Sequence, residues 1–478
     1  MNPLITKLYQ SFLENQALTC LKIGMETYSY SDVLAVCNRI RFQIAENKSQ
    51  NIGIYLTDDL YLYASILAIW FEGKTYVPIH PDFPLSKNQN VIEQAEINTV
   101  LSSSIIKEPL EVTVINTTEN LESREELPAE TDISTNSYIL FTSGSTGNPK
   151  GVPITFSNLY YFQNSFSATF GEIKKKDKVL QMFELTFDLS VMSYLIPWLH
   201  GATVVGLHKK ETKFLQILDL LEANEITVAL MVPSSLNLII PYLDPKIKNE
   251  SLRLNLFCGE ALLEKQIEKW KPFVPNAAIY NVYGPTENTI FCTAYKIENP
   301  IKHKNGIISF GKTMTNSNLS LSKEENGEGE LLLSGKFLAK CYWKNPEKTA
   351  ETFINIGGEI FYRTGDWCYR DEDGDFFYLN RIDFQAKING FRIELSEIEY
   401  FVNEKLQTGI SVAVVTKDKS EHDILTVFVN ENISEEMLLK HLKTNLPDYM
   451  IPSKIIFLEN YPVNTSGKID RNELKKLC

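Results

Sequence analysis

What most constrains this chain is the alternation, over its first three quarters, of short apolar β-branched runs with segments of helical pattern. The runs are 52–56, 75–79, 138–141, 202–206, 226–232, 252–257 and 278–282. Continuous apolar runs of this length suit strands buried on both faces, and helical segments between them suit crossovers. The pattern therefore predicts an α/β fold of βα units, with largely parallel sheets covered by helices on both sides. Residues 214–223, then Ile226-Thr-Val-Ala-Leu-Met-Val232, then Pro233-Ser-Ser read as helix, buried strand and turn. Ligands of such folds sit at the carboxyl ends of the strands. The longest apolar stretch, 60–71, includes Tyr61 and Tyr63 and is too short to cross a bilayer, so it is predicted to be a core helix.

Beyond about residue 383 the texture becomes a short α+β pattern. Ser396-Glu-Ile-Glu399 reads as a capping box opening a helix towards Leu406; 412–416 and 425–430 read as strands, and 434–445 as a further helix. Two domains are expected, a core of 1–382 and a small lid of 383–478, with the boundary at Asp383 in Arg381-Ile-Asp-Phe-Gln.

A net charge of −13 and a pI near 5.2 argue against a broad cationic surface for nucleic acid or anionic lipid, and leave small molecules and proteins as partners. Seven cysteines, odd in number and never spaced CxxC, read as reduced and metal-free. The first ten residues hold no secretory signal, and no segment suits membrane insertion, so a cytoplasmic protein is expected.

Three segments carry chemistry. In Tyr138-Ile-Leu-Phe-Thr-Ser-Gly-Ser-Thr-Gly-Asn-Pro-Lys-Gly151 a buried strand runs into a loop of hydroxyls, glycines and one lysine. Glycines let backbone N–H groups turn inward around an anion, hydroxyls add donors, and Lys150 adds a mobile positive charge. It is not a Walker loop, because Pro149 precedes the lysine and Gly151 follows it. The same residues are also favoured in plain surface turns. Asn281-Val-Tyr-Gly-Pro-Thr-Glu287 offers an aromatic face suited to a purine and a carboxylate suited to Mg²⁺; by itself it also reads as a Gly-Pro turn with an exposed acid. Asp188 stands in the apolar run Leu185-Thr-Phe-Asp-Leu-Ser-Val-Met192. A carboxylate buried there asks for a cation; the alternative is that it caps a helix beginning near Ser190.

The order of these motifs, from about residue 28 to 471, resembles the adenylate-forming superfamily of acyl-CoA synthetases, luciferases and nonribosomal-peptide adenylation domains. The resemblance implies ATP and Mg²⁺ as cofactors. It gives phosphate contact to Thr142, Ser143, Ser145, Thr146 and Lys150, adenine packing to Tyr283, phosphate contact to Thr286 and magnesium to Glu287. In Tyr362-Arg-Thr-Gly-Asp366 it makes Asp366 the ribose ligand. It gives Arg381 a ribose or phosphate contact and makes Asp383 the hinge; Asn380 stands where the family usually has Gly, a mild departure because Asn tolerates left-handed angles. In Asn464-Thr-Ser-Gly-Lys-Ile-Asp-Arg471, Lys468 becomes the lysine that stabilises the adenylation transition state.

The implied reaction has two halves: a carboxylate attacks the α-phosphorus of MgATP and pyrophosphate leaves, then the lid turns about Asp383, withdraws Lys468 and presents the Gly390 side to a thiol. Amino-acid-activating members pair an aspartate at the Asp188 position with the substrate ammonium. The family's pocket positions fall on Asp188, Leu189, Met192, Met231, Leu256, Cys258, Val282, Ile290, Phe291 and Lys468, an apolar and bulky lining that favours a small apolar amino acid. Phe187-Asp-Leu-Ser-Val-Met192, Phe257-Cys-Gly-Glu260 and Asp383-Phe-Gln385 also resemble the D-alanine:carrier-protein ligases, which points to alanine of either hand. No Gly-Gly-x-Ser phosphopantetheine site is present in the sequence, so the carrier protein is expected in trans. The rival readings are an acyl- or aryl-CoA synthetase, which lacks an aspartate at the Asp188 position, and a catalytically inactive adenylate-binding protein.

Overall fold

The structure, a computed structural model, describes residues 2–106, 109–119, 122–143, 149–208, 212–382, 385–388, 390–406, 410–418, 422–462 and 469–478. They form two compact units, one of Met1–Pro81, Ile92–Leu140 and Gly151–Ile382, the other of Asp82–Val91, Phe141–Lys150 and Asp383–Cys478.

The first unit holds the βα alternation. A six-stranded sheet, of this unit except for residues 141, 142 and 150, runs in the order Thr113–Asn116, Thr99–Ser102, Asn51–Tyr55, Thr75–Ile79, Asn136–Thr142, Lys150–Thr155. A nine-stranded sheet has a parallel centre of Ala278–Asn281, Leu254–Phe257, Val228–Met231, Lys178–Gln181, Thr203–Gly206 and Thr19–Ile23, with antiparallel strands at both edges. The helix Leu60–Phe71 is capped by Asp59, whose carboxylate accepts the Leu62 N–H at 2.9 Å, and every residue from Leu62 to Phe71 is buried. An amphipathic stripe would leave one face wet; this helix is apolar all round because it is wrapped on all sides.

A five-stranded antiparallel sheet, Ser317–Glu325, Glu328–Gly335, Glu359–Arg370, Phe353–Ile356 and Phe376–Arg381, completes this unit. It departs from the expectation of largely parallel sheets. Three of its four links are short, Asn326-Gly327, Gly357-Gly358 and residues 371–375, and the first two have positive φ throughout, which allows direct antiparallel return; the fourth, 336–352, carries the helix Pro346–Thr352 past the strand Glu359–Arg370.

The second unit has its own core, in which Ile393, Ile398, Val402, Ala413, Val427, Leu438 and Leu442 are buried together. A hairpin, Gln385–Ile388 with Phe391–Glu394, precedes the helix Leu395–Asn403, and Ser411–Lys417, Asp423–Val429 and Lys454–Phe457 make a three-stranded sheet. The capping box expected at Ser396 is absent: the helix starts at Leu395, and Glu394 at its cap makes no side-chain capping bond. Glu399 is drawn elsewhere, its carboxylate accepting the Ala413 N–H at 2.7 Å and a forked pair from Arg471 at 2.7 and 3.1 Å. A bidentate charged partner outweighs a local capping bond. The next helix, Glu435–Asn445, is capped by Ser434, which accepts the Met437 N–H at 3.4 Å.

Candidate active site

Three parallel strands of the nine-stranded sheet end side by side, with Met231 beside Phe257 and Phe257 beside Asn281. Their carboxyl ends bring together Met231, Leu256, Cys258 and Val282, all buried. The pairing runs one residue past the strands, since the Cys258 N–H donates to Met231 O at 3.0 Å and the Val282 N–H to Phe257 O at 2.9 Å. Gly259 then turns the chain at a φ of +97°; a Cβ there would sit 3.3 Å from Val232 Cγ1 and 3.7 Å from Leu189 Cδ1. Leu189 therefore closes against the same strand ends. Met192 and Ile290 are buried in the same core, and the buried Phe291 ring packs edge-on to Phe162 at 5.1 Å between ring centres.

Asp188 lies just before the helix Leu189–Trp198, yet makes no side-chain capping bond. It is buried, and its Oδ2 accepts the Ile290 N–H at 3.3 Å. Burial pushes its carboxyl up to about 7, against the opposing pull of that amide, and the charge of Glu287 adds to the rise. Among the described residues no Lys, Arg or His forms an ion pair with it.

The segment Asn281–Cys292 folds back on itself. The Cys292 N–H donates to Tyr283 O at 2.8 Å, and the Tyr283 N–H donates to Thr293 Oγ1 at 3.0 Å. Gly284 is required here, because a Cβ would lie 2.3 Å from Phe291 Cα. Thr286, partly exposed, opens the 3₁₀ turn Thr286–Asn288. Glu287, fully buried, accepts the Tyr342 hydroxyl at 2.8 Å. Tyr342 is a residue that reading the sequence did not mark; its position, 55 residues beyond the glutamate it contacts, carries no local signal.

Asp366 and Arg381 face each other across adjacent strands, with Nη1 2.7 Å from Oδ1, while Nη2 donates to Thr364 O at 3.0 Å. The Tyr283 hydroxyl donates to the other oxygen, Oδ2. One face of the Tyr283 ring is stacked on Phe310, 4.7 Å between centres at 28°. Burial and the neighbouring Asp366 charge hold the Tyr283 phenol far above its usual range. Tyr283, Asp366 and Arg381 thus form one hydrogen-bonded set within the first unit.

In the second unit, Thr142 Oγ1 donates to Lys150 O at 3.4 Å, and Ser143 Oγ donates to Arg392 O and accepts the Glu394 N–H, both at 3.1 Å. Lys150 was expected to carry a mobile charge. It is instead buried at the start of a strand with its ammonium 3.0 Å from Glu394 Oε1. Ser145, Thr146, Asp383 and Lys468 lie outside the described residues.

The AMP-binding enzyme family matches residues 10–343, most of the chain. The chain belongs to the AMP-binding enzyme family. It is 30% identical over 499 residues to the D-alanine–D-alanyl carrier protein ligase of Lactococcus lactis subsp. lactis (strain IL1403), covering 98% of both chains. It is 32% identical over 485 residues to the zwittermicin A synthase ZmaJ of Bacillus cereus, covering 95% of this chain and 90% of that one. Among solved structures it shares its fold with the Vibrio cholerae adenylation domain AlmE, described in complex with glycyl-adenosine-5'-phosphate, at a TM-score of 0.85 and 23% identity over 100% of this chain and 98% of that one. As an AMP-binding enzyme, the chain has an α/β core, all seven cysteines are free, and among the described residues no helix is long and apolar enough to cross a membrane.

Proposed function

We propose that this enzyme activates a small apolar amino acid, with alanine of either hand as the leading substrate, as its aminoacyl-AMP and passes it to the phosphopantetheine thiol of a separate carrier protein. The observation that carries the substrate class is Asp188. A carboxylate buried among apolar side chains, with no cationic partner among the described residues, is matched by the ammonium of an amino acid and by nothing on an aryl or fatty acid. Met231, Leu256, Cys258, Val282, Leu189, Met192, Ile290 and Phe291 would enclose the side chain; they offer bulk and no charge.

At the nucleotide end, the aromatic ring of Tyr283 suits adenine, and Asp366, held by Arg381, suits the ribose hydroxyls as a fixed acceptor. Thr142, Ser143, Ser145, Thr146 and Thr286 are assigned to the phosphates, and Lys150 joins them only on release from its buried pair with Glu394. Glu287, a buried hard oxygen donor braced by the Tyr342 hydroxyl, fits Mg²⁺, which when bound supplies charge neutralisation at the phosphates.

In the first half-reaction a substrate carboxylate oxygen forms a bond to the α-phosphorus and the bond from that phosphorus to the pyrophosphate oxygen breaks. Asp188 and the apolar lining orient the amino acid, Tyr283, Asp366 and Arg381 orient the nucleotide, and Lys468 stabilises the charge that gathers on the non-bridging oxygens. In the second, the carrier thiolate attacks the acyl carbon and AMP leaves. Segment 383–478 acts as the lid and Asp383 as its hinge, so that Lys468 serves the first half only. Free cysteines and the need for ATP support a cytoplasmic setting.

The test is amino-acid-dependent pyrophosphate release from MgATP across the L-amino acids, common D-amino acids, β-alanine and a panel of aryl and fatty acids, with free coenzyme A and holo carrier protein compared as acceptors. Release with D- or L-alanine and transfer to the carrier is the expected result. Release only with aryl or fatty acids, or transfer only to coenzyme A, would overturn it.

A further inference from the structure

The segment that follows Glu287 contains an unusual backbone. Thr289 and Ile290 are consecutive β-branched residues, and both have positive φ, +50° and +70°. Branching at Cβ makes this region costly, so the surrounding contacts must hold it, and such strain collects at binding sites.

We propose that Thr289 is a positioning residue for the amine end of the amino acid site: its hydroxyl fixes a left-handed turn that aims the Ile290 N–H at the Asp188 carboxylate. The inference rests on the reading that Asp188 receives the substrate ammonium. Thr289 is fully buried, and its Oγ1 donates to Phe337 O at 2.5 Å. The segment that accepts this bond is itself anchored. The buried Asn158 side chain donates to Lys336 O at 2.8 Å and Leu338 O at 3.1 Å, and its oxygen accepts the Thr155 N–H at 2.9 Å. From the other side, Gly284 lies against Phe291 too closely to admit a Cβ. Held at both ends, the turn presents the Ile290 N–H to Asp188 Oδ2 at 3.3 Å, already at the long edge of an N–H···O bond. A small relaxation of the turn loses it.

The nucleotide end has a separate tether. The Ala339 N–H donates to Glu287 O at 2.8 Å, so Glu287 stays in place without the Thr289 hydroxyl. The Thr289 N–H also closes the turn on Thr286 O at 3.2 Å, a backbone bond that substitution keeps, so the hydroxyl itself bears on the amino acid end; no local motif announces it, since its partner lies 48 residues away.

The experiment is steady-state pyrophosphate release by the full chain with Thr289→Val, Thr289→Ser and Asp188→Asn, measuring KM for the best amino acid and for ATP separately. Val keeps the shape and removes the hydroxyl; Ser keeps the hydroxyl. Loss of a hydrogen bond to a charged group predicts an amino acid KM raised about tenfold in Thr289→Val, an ATP KM within about twofold, and Thr289→Ser close to the natural enzyme. A Val variant indistinguishable from the natural enzyme, an equal rise of both KM values, or a Ser variant as impaired as Val would overturn the positioning role. Asp188→Asn separates the two layers. If it leaves the amino acid KM unchanged, the ammonium reading itself falls; if it raises that KM while Thr289→Val does not, only the role of Thr289 falls.

Discussion

Arg381 Nη1 lies 2.7 Å from Asp366 Oδ1 across two paired antiparallel strands, and the same carboxylate takes the Tyr283 hydroxyl on its second oxygen. A carboxylate gripped on both oxygens cannot swing, and under the ribose role proposed for it the entropy of placing it is met in folding and not on binding.

Replacing Asp366 by Ala should therefore raise the KM for ATP on the order of a hundredfold, roughly two charged hydrogen bonds, with the amino acid KM moved far less. Parallel titrations of the two substrates check this. Equal effects on both would remove Asp366 from the nucleotide end.

Lys468→Ala should abolish amino-acid-dependent pyrophosphate release while leaving transfer from supplied aminoacyl-AMP to the holo carrier largely intact, because a lysine that acts only on the pentavalent phosphorus has no task in thioester formation. The two half-reactions are assayed separately, and parallel loss of both would sink the two-state account of the lid.

Asp188 makes a pH prediction. With its carboxyl pushed up to about 7 by burial, the free enzyme holds a proton there below neutrality, and an ammonium cannot pair with the neutral acid. The kcat/KM for the amino acid should rise with pH through that region, and Asp188→Asn should flatten this limb while lowering kcat/KM by about a hundredfold, from a lost buried ion pair of about 3 kcal/mol. The stability sign runs opposite. A carboxyl that binds its proton more tightly when folded stabilises the fold below its unfolded value near 4 and loses that contribution as pH rises to about 7. Without substrate, Asp188→Asn should melt higher than the natural enzyme at pH 8 and lose that advantage near pH 4. A gap in melting temperature that ignores pH would show that Asp188 is ionised at no cost.

Gly284→Ala places a Cβ 2.3 Å from the backbone of Phe291, where nothing flexible can yield. A loss of stability of about 3 kcal/mol or more is expected by calorimetry, together with loss of both substrate affinities, because Tyr283, Glu287 and Ile290 share this turn. A silent Gly284→Ala would mean the turn opens freely.

Local patterns carried much of the fold. The strand Thr75–Ile79 and the helix Leu60–Phe71 occupy the residues their apolar runs predicted, and other parallel strands differ by a residue or two at their ends, where caps and fraying decide. The antiparallel sheet 317–381 went unread even though Asn318-Leu-Ser-Leu-Ser322 alternates with the two-residue period of a half-exposed strand. The misplaced capping box at Ser396 has a different cause: Glu399 had a better partner in Arg471, 72 residues on.

What the sequence determined by itself is the class of the fold and the chemical types available to a site: periodicity sets which runs are strands and helices, and a carboxylate in an apolar run, as at Asp188, already asks for compensation. Which groups answer one another was settled by the packing of the folded chain. The amide opposite Asp188 comes from Ile290, 102 residues later, the hydroxyl on Glu287 from Tyr342, and the counter-charge to Lys150 from Glu394. Such pairings depend on distances set by the packing of whole sheets, and a hydrogen bond is won or lost over a few tenths of an ångström, far finer than residue type or spacing along the chain can convey.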